Sequence, residues 1–298
     1  MTQLLPLFLS LLLLLPTLSS CQKKKADACP TIAVSIEPLR YVVEAVAGEK
    51  FQVVTLMPQG ASPETYEPTP RQMTSLSNCA LVMRCGTLGF EQTQLPKMVK
   101  TTPKTKLISL STNITPIEEE AHTHGHSSKK ASANSQELSH SIDPHLWMSA
   151  RNLSQMAANA AQALGKADPQ NASYYQQRLQ QFQKKMARLD IELKQTFSTA
   201  KQKAFLIYHP ALGYLAQQYG LKQLPVEHDG KDPSAAYMQQ LIAQCKSQGV
   251  KVAFISKEHT GKAAQRIAQE AQMRVVSINP LAYDVAEQMR LIAQELNK

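Results

Sequence analysis

Short apolar runs alternate with amphipathic helical patterns along most of this chain. The runs predict strands at residues 31–36, 51–57, 80–83, 106–110, 204–208, 221–226, 250–256 and 273–278. Helical patterns lie between consecutive runs, and a last one covers 285–297. Strands that alternate with helices in this way are typical of parallel sheets with crossover connections. We therefore predict an α/β fold with one sheet in the first half and another in the second.

Two stretches interrupt this alternation. Residues 114–141 are rich in Glu, His, Ser, Lys and Asn and have no apolar period, which predicts a flexible insertion. Residues 174–201 contain no glycine or proline and predict one long, mostly exposed helix of about 40 Å. A polar helix of that length in mid-chain favours two lobes with parallel sheets flanked by helices, joined by one long linking helix.

The predicted organisation follows from these boundaries. It comprises a signal peptide at 1–20, a tether at 21–29, an N-terminal α/β lobe at 30–168 with the insertion at 114–141, a linking helix at 169–201 and a C-terminal α/β lobe at 202–298. A length of 298 residues fits one large or two medium lobes.

Composition and charge exclude some partners. The net charge is +9, but the basic residues are scattered, and aromatic residues make up only 6% of the chain. A nucleic-acid platform would interleave aromatic and basic residues, so we expect no nucleic acid as partner. Solvated helix faces account for the charge, and a protein held near an anionic lipid surface would also tolerate it.

The N-terminal stretch indicates export. The apolar run at 4–18 is too short for a comfortable membrane span, and small residues stand directly before Cys21. Such a pattern is typical of a bacterial lipoprotein signal, in which the cysteine is lipidated and becomes the new N-terminus. The segment before the run has no Lys or Arg, and an ordinary cleaved signal peptide is the alternative. Lipidation at Cys21 would anchor the protein to a bacterial membrane, in the periplasm or at the cell surface.

The remaining cysteines are expected to be free. Cys79 and Cys85 fall on one predicted strand, which would hold their Cα atoms about 20 Å apart. A disulfide needs a separation below about 7 Å. Buried thiols are therefore predicted for these two and for Cys29 and Cys245.

Polar side chains next to prolines follow four of the predicted strands. Glu64 follows the second strand, His145 the fourth strand and its insertion, His209 the first strand of the second lobe, and Asn279 the last strand. Open parallel sheets bind ligands beyond the carboxyl ends of their strands. Two imidazoles with a carboxylate suit a divalent transition metal such as zinc, or manganese or iron with added oxygen ligands.

The motifs around these residues resemble a known family. They are GASPETYEPTP at 60–70, DPHLW at 143–147 and YHPALGY at 208–214. Residues 30–298 resemble the metal-binding receptor lipoproteins of bacterial zinc and manganese ABC importers, and the His-rich insertion is typical of the zinc-type members. The resemblance implies a receptor that captures a metal between two lobes and delivers it to an ABC permease in the membrane. We expect it to act as a monomer.

The same resemblance implies metal ligands at Glu64, His145, His209 and Asn279. Two positions depart from the family, which has a histidine at Glu64 and commonly an aspartate at Asn279. His209 is similar to the zinc receptors, whereas a carboxylate at Glu64 moves the site towards manganese or iron. Zn²⁺ is the expected ion, with Mn²⁺ or Fe²⁺ as alternatives. Because neutral imidazole is the ligand, affinity should fall below about pH 6.5.

Each candidate residue also has a structural interpretation. His145 could pack under Trp147, Glu64 could cap a helix, and Asn279 could close a turn. The polar stretch 227–229 could supply a ligand in place of Asn279, although a plain loop explains it too. The further imidazoles in the insertion are either an accessory metal-gathering loop or solvated side chains: His122, His124 and His126.

Catalytic motifs are missing from the sequence. There is no HExxH pair, no G-x-S-x-G elbow and no glycine-rich phosphate loop, so we expect a receptor and not an enzyme. Two alternatives stay open. One is a metal-dependent hydrolase with Glu64 or Glu67 as base. The other is a receptor whose metal site has decayed or been altered.

Overall fold

Two four-stranded parallel sheets form the framework of the computed structural model, which describes residues 30–63, 65–102, 104–118, 142–227, 233–258 and 261–298. The strands are β1 Thr31–Val34, β2 Gln52–Thr55, β3 Cys79–Arg84, β4 Lys106–Ser109, β5 Ala204–Ile207, β6 Lys222–Pro225, β7 Val252–Ser256 and β8 Arg274–Ile278. Their order is β2-β1-β3-β4 in the first sheet and β6-β5-β7-β8 in the second. The two lobes therefore repeat one topology, and the predicted fold class is confirmed.

Helices connect and cover the strands. They are α1 Glu37–Ala47, α2 Pro70–Ser75, α3 Gly89–Thr93, α4 Leu95–Lys100, α5 Ala150–Ala167, α6 Ala172–Thr199, α7 Gly213–Tyr219, α8 Ala235–Ser247, α9 Lys262–Glu270 and α10 Val285–Asn297. The sequence pattern did not predict α3, because five residues are too few to show a helical period.

The long helix α6 joins the lobes along a continuous apolar face. It has 28 residues and is therefore about 42 Å long. Its buried side chains recur every three or four residues: Tyr175, Leu179, Phe182, Met186, Leu189, Leu193 and Phe197. This face packs against α1 and α5 of the first lobe and α7 and α10 of the second, so one apolar core runs through both lobes. A smaller core lies on the other side of the second sheet, under α8 and α9.

The cysteines of the described chain are free and buried, as expected: Cys79, Cys85 and Cys245. Burial raises the pKa of the Cys245 thiol to about 11. Cys21 and Cys29 lie outside the described residues, and so does the apolar run at 4–18. Within the described ranges, no helix combines the length and the apolar character that crossing a membrane requires.

Candidate metal site

The structure brings two of the predicted ligands together. His209 follows β5, and His145 lies in the segment that leads into α5. Their Nε2 atoms are 3.2 Å apart, and their rings meet edge to face with centroids 5.1 Å apart. Each lobe therefore contributes one imidazole to this contact, and His209 lies just past the carboxyl end of β5, where open parallel sheets bind ligands.

A carboxylate stands behind each imidazole. Asp143 Oδ1 is 2.8 Å from His145 Nδ1, and Glu227 Oε2 is 3.1 Å from His209 Nδ1. An ionised carboxylate only accepts hydrogen bonds, so each Nδ1–H donates to its carboxylate, and in the neutral form of each ring Nε2 carries the lone pair. With both rings neutral, a cation between the two Nε2 atoms would accept both lone pairs. The arrangement is thus suited to bind a metal ion.

His145 is fixed by its own loop and is only 3% exposed. Asp143 Oδ1 also accepts the main-chain N–H of His145 at 2.8 Å, and the Trp147 ring lies edge-on to the imidazole at 5.3 Å. The indole N–H of Trp147 donates to the Pro280 carbonyl at 2.8 Å, just after β8. The structural interpretation of His145 under Trp147 and the ligand interpretation are therefore compatible, because packing leaves Nε2 directed at His209.

A buried carboxylate shapes a second loop, at residues 85–88, which contacts the His145 loop. Glu91, on α3, accepts the main-chain N–H groups of Cys85, Gly86 and Leu88 at 2.8, 2.6 and 3.2 Å. Burial raises the pKa of Glu91, while these N–H donors act in the opposite direction. The loop at residues 85–88 carries Thr87, whose hydroxyl donates to the Pro144 carbonyl at 2.8 Å, directly before His145.

Sequence reasoning missed Glu91 and its function. A glutamate at the third position of a helix is half of a capping box, but the helix begins after Leu88, where a hydroxyl side chain would have completed the signal. Glu227 was noted only as part of a polar stretch. The structure shows that it supports a histidine.

Asn279 lies directly after β8 and closes a turn there. Asn279 Oδ1 accepts the Leu281 N–H at 3.0 Å, and the Asn279 main-chain N–H donates to Gln288 Oε1 at 2.8 Å. These contacts are those of the turn interpretation. The neighbouring Pro280 carbonyl receives the Trp147 indole, so the end of β8 is adjacent to the His145 loop.

Several predicted residues lie outside the described part of the chain. They are Cys21, Glu64, His122, His124, His126, His228 and Asp229. Their functions remain predictions. In the described part, no group of three or more His, Cys, Asp or Glu side chains is arranged to hold a metal ion.

Comparison with known proteins identifies the family of this chain. The model of the family described as zinc-uptake complex component A, periplasmic, matches residues 32–296. The chain belongs to this family. Its members are periplasmic metal-binding receptors of ABC transporters, which confirms the receptor prediction and gives the hydrolase alternative no support.

Individual relatives agree with this assignment. The high-affinity zinc uptake system protein ZnuA of Bacillus subtilis (strain 168) is 26% identical over 84% of this chain and 78% of its own length. The zinc-binding lipoprotein AdcA of Streptococcus pneumoniae serotype 4 is 25% identical over 87% of this chain and 51% of its own length. A crystal structure of ZnuA superposes with a TM-score of 0.81 at 32% identity, covering 90% of this chain and 98% of the other.

Proposed function

We propose that this protein captures Zn²⁺ at the carboxyl ends of its two sheets and delivers it to an ABC permease. His145 and His209 bind the ion through Nε2, Glu64 supplies a carboxylate oxygen, and Asn279 or a water completes the shell. The zinc-binding relatives support this ion. Mn²⁺ and Fe²⁺ are the alternatives, because a carboxylate at Glu64 adds an oxygen ligand.

One distance carries the proposal. Two Zn–N bonds of about 2.0–2.1 Å at the tetrahedral angle place their nitrogens about 3.3 Å apart. The Nε2 atoms of His145 and His209 are 3.2 Å apart. Carboxylates behind metal-binding histidines fix the ring orientation and raise the basicity of the ligand nitrogen, which is what Asp143 and Glu227 are placed to do.

Calorimetry on metal-stripped protein tests the function. We expect saturable binding of one Zn²⁺ per chain, with Mn²⁺ and Fe²⁺ competing more weakly. The variant His259→Ala, which removes an imidazole outside the proposed shell, serves as control and should bind as the wild type does. Absence of saturable binding of all three ions would remove the receptor function.

The imidazoles of the insertion form an accessory element of the proposal. Removal of residues 119–140 takes away His122, His124 and His126 but keeps Ile117, which contacts the His145 loop, and should leave the tight site intact. Titration of the deletion variant measures this directly. If the deletion abolished tight binding, the ligands would lie in the insertion and our shell would be wrong.

The proposal also includes a lipid anchor at Cys21. A lipidated Cys21 would hold the receptor on the membrane close to its permease, and the name of the streptococcal lipoprotein supports this arrangement. Cells fed radioactive fatty acid should label the wild type and not Cys21→Ala. Label that persists in the variant would exclude this anchor. Sedimentation of the purified protein should show the proposed monomer.

A further inference from the structure

The start of α7, in the second lobe, contacts the loop of the first lobe that carries His145. The Tyr214 hydroxyl donates to the main-chain carbonyl of Asp143 at 3.0 Å and accepts the Ile117 N–H at 3.1 Å. The Asp143 N–H donates in turn to the Ile117 carbonyl at 3.0 Å. Tyr214 is only 4% exposed, so these bonds are shielded from water. One hydroxyl thus joins two segments of the other lobe.

Gly213 leaves room for the Asp143 carboxylate. An ideal Cβ at Gly213 would lie 2.1 Å from Asp143 Oδ2, closer than real side chains approach. The other carboxylate oxygen, Oδ1, contacts His145 at its N–H and its Nδ1, both at 2.8 Å. Of two successive residues in the second lobe, Tyr214 therefore binds the Asp143 carbonyl and Gly213 borders its carboxylate.

We propose that Gly213 and Tyr214 form a cross-lobe clamp, which fixes Asp143, and through it the His145 ring, relative to His209. The clamp deepens the proposed metal site and rests on it. His209 lies four residues before Gly213 in the same segment, so the clamp and one metal ligand move together. A shift of one lobe against the other then carries Asp143 along with His209 and preserves the distance between the two Nε2 atoms.

Tyr214 is a positioning residue in this arrangement and not a ligand. Burial raises its pKa to about 12, so its hydroxyl remains a donor at neutral pH. Without that hydroxyl, the Asp143 carbonyl and the Ile117 N–H lose this shared partner, and the loop must shift. Loss of a group behind a metal ligand weakens binding by about 10–100-fold. Tyr214 contacts the ligand His145 only through Asp143, so we expect a loss near the lower end of that range.

The matched variants are Tyr214→Phe and Tyr219→Phe, which each remove one hydroxyl from α7. The Tyr219 hydroxyl donates to Asp190 Oδ1 at 2.9 Å and not to the His145 loop. We expect Zn²⁺ affinity to fall about tenfold in Tyr214→Phe and to stay unchanged in Tyr219→Phe. The visible absorption of bound Co²⁺, which reports ligand geometry, should change only in Tyr214→Phe. A merely structural effect would lower thermal stability in both variants and leave both spectra alone.

A measurement without metal separates the clamp from the metal function. In metal-stripped protein, the ¹⁵N signals of the His145 ring should move in Tyr214→Phe and in Gly213→Ala, whose new Cβ displaces Asp143 Oδ2. They should not move in Tyr219→Phe. Unchanged His145 signals in both clamp variants would overturn the clamp, even if zinc binds. If the wild type bound no metal, the receptor function would fail, while these signals would still decide whether the clamp exists.

Discussion

His145 and His209 face each other across the site, but the chain holds them in different ways. The carboxylate behind His145 is two residues away, and this imidazole is 3% exposed between a tryptophan ring and a braced loop. The carboxylate behind His209 is 18 residues away, at the end of the neighbouring strand β6, and the His209 side chain is 13% exposed. One half of the site is encoded locally, and the other half depends on the pairing of β5 with β6.

This difference indicates which half is rigid. Glu91 shapes the loop behind Pro144, Trp147 covers the imidazole, and Tyr214 holds Asp143 from the opposite lobe. His209 has Glu227 behind it, whose main-chain N–H is held by the Tyr208 carbonyl at 2.9 Å. The half of the site around His145 should therefore lose more Zn²⁺ affinity when a supporting group is removed, because more of its geometry is fixed in advance.

Removal of either imidazole should have the largest effect. His145→Ala and His209→Ala should each lower Zn²⁺ affinity by more than about 100-fold, since a lost ligand exceeds the cost of a lost supporting group. Calorimetry measures the loss, and the single tryptophan, Trp147, offers a second signal because its ring touches His145. If His209→Ala bound Zn²⁺ as tightly as the wild type does, His209 would not be a ligand and the site would belong to the first lobe alone.

Neutralising each supporting carboxylate in turn should lower Zn²⁺ affinity by different amounts in the two halves of the site. Asp143→Asn should cost about 10–100-fold in Zn²⁺ affinity, and Glu227→Gln should cost less, since Glu227 is less deeply buried than Asp143. Both amides keep the shape of the side chain, so each variant serves as the steric control for the other. Equal losses would show that the two halves are equally preorganised.

Shortening the covering ring should have a smaller effect on binding. Trp147→Phe keeps an aromatic face against His145 but removes the N–H that the Pro280 carbonyl accepts. We expect a loss of about tenfold or less in Zn²⁺ affinity and of about 1–3 kcal/mol in the free energy of unfolding. Titration and thermal denaturation measure the two. A large affinity loss without destabilisation would mean that the indole acts on the metal shell directly.

The smallest change is expected at Asn279. Asn279→Asp replaces the amide with the carboxylate common in the family and should raise Zn²⁺ affinity by about tenfold or less, because a negative charge near the ion is added. It keeps the oxygen that accepts the Leu281 N–H. Asn279→Ala is the companion variant. If neither substitution alters affinity, the side chain only closes its turn and a water occupies that position.

Much of the fold could be predicted from the period of apolar positions. Buried parallel strands are short, continuous apolar runs, and α6 shows its seven buried side chains at helical spacing. The helix α3 could not be predicted, since five residues show no period. The strand-end argument also identified both histidines, because a proline beside a polar residue after a strand is a local signal.

The sequence by itself determined the two-sheet architecture and singled out both imidazoles as candidate ligands. Only the tertiary structure decided that the two Nε2 atoms stand 3.2 Å apart, that Glu227 supports His209, and that Tyr214 holds Asp143 from the other lobe. Those contacts join residues 64, 18 and 71 positions apart. The first and third contacts depend on how the two lobes pack along α6, and the second depends on the pairing of β5 with β6. The hydrophobic period of a segment shows which face is buried but not which residue it will meet.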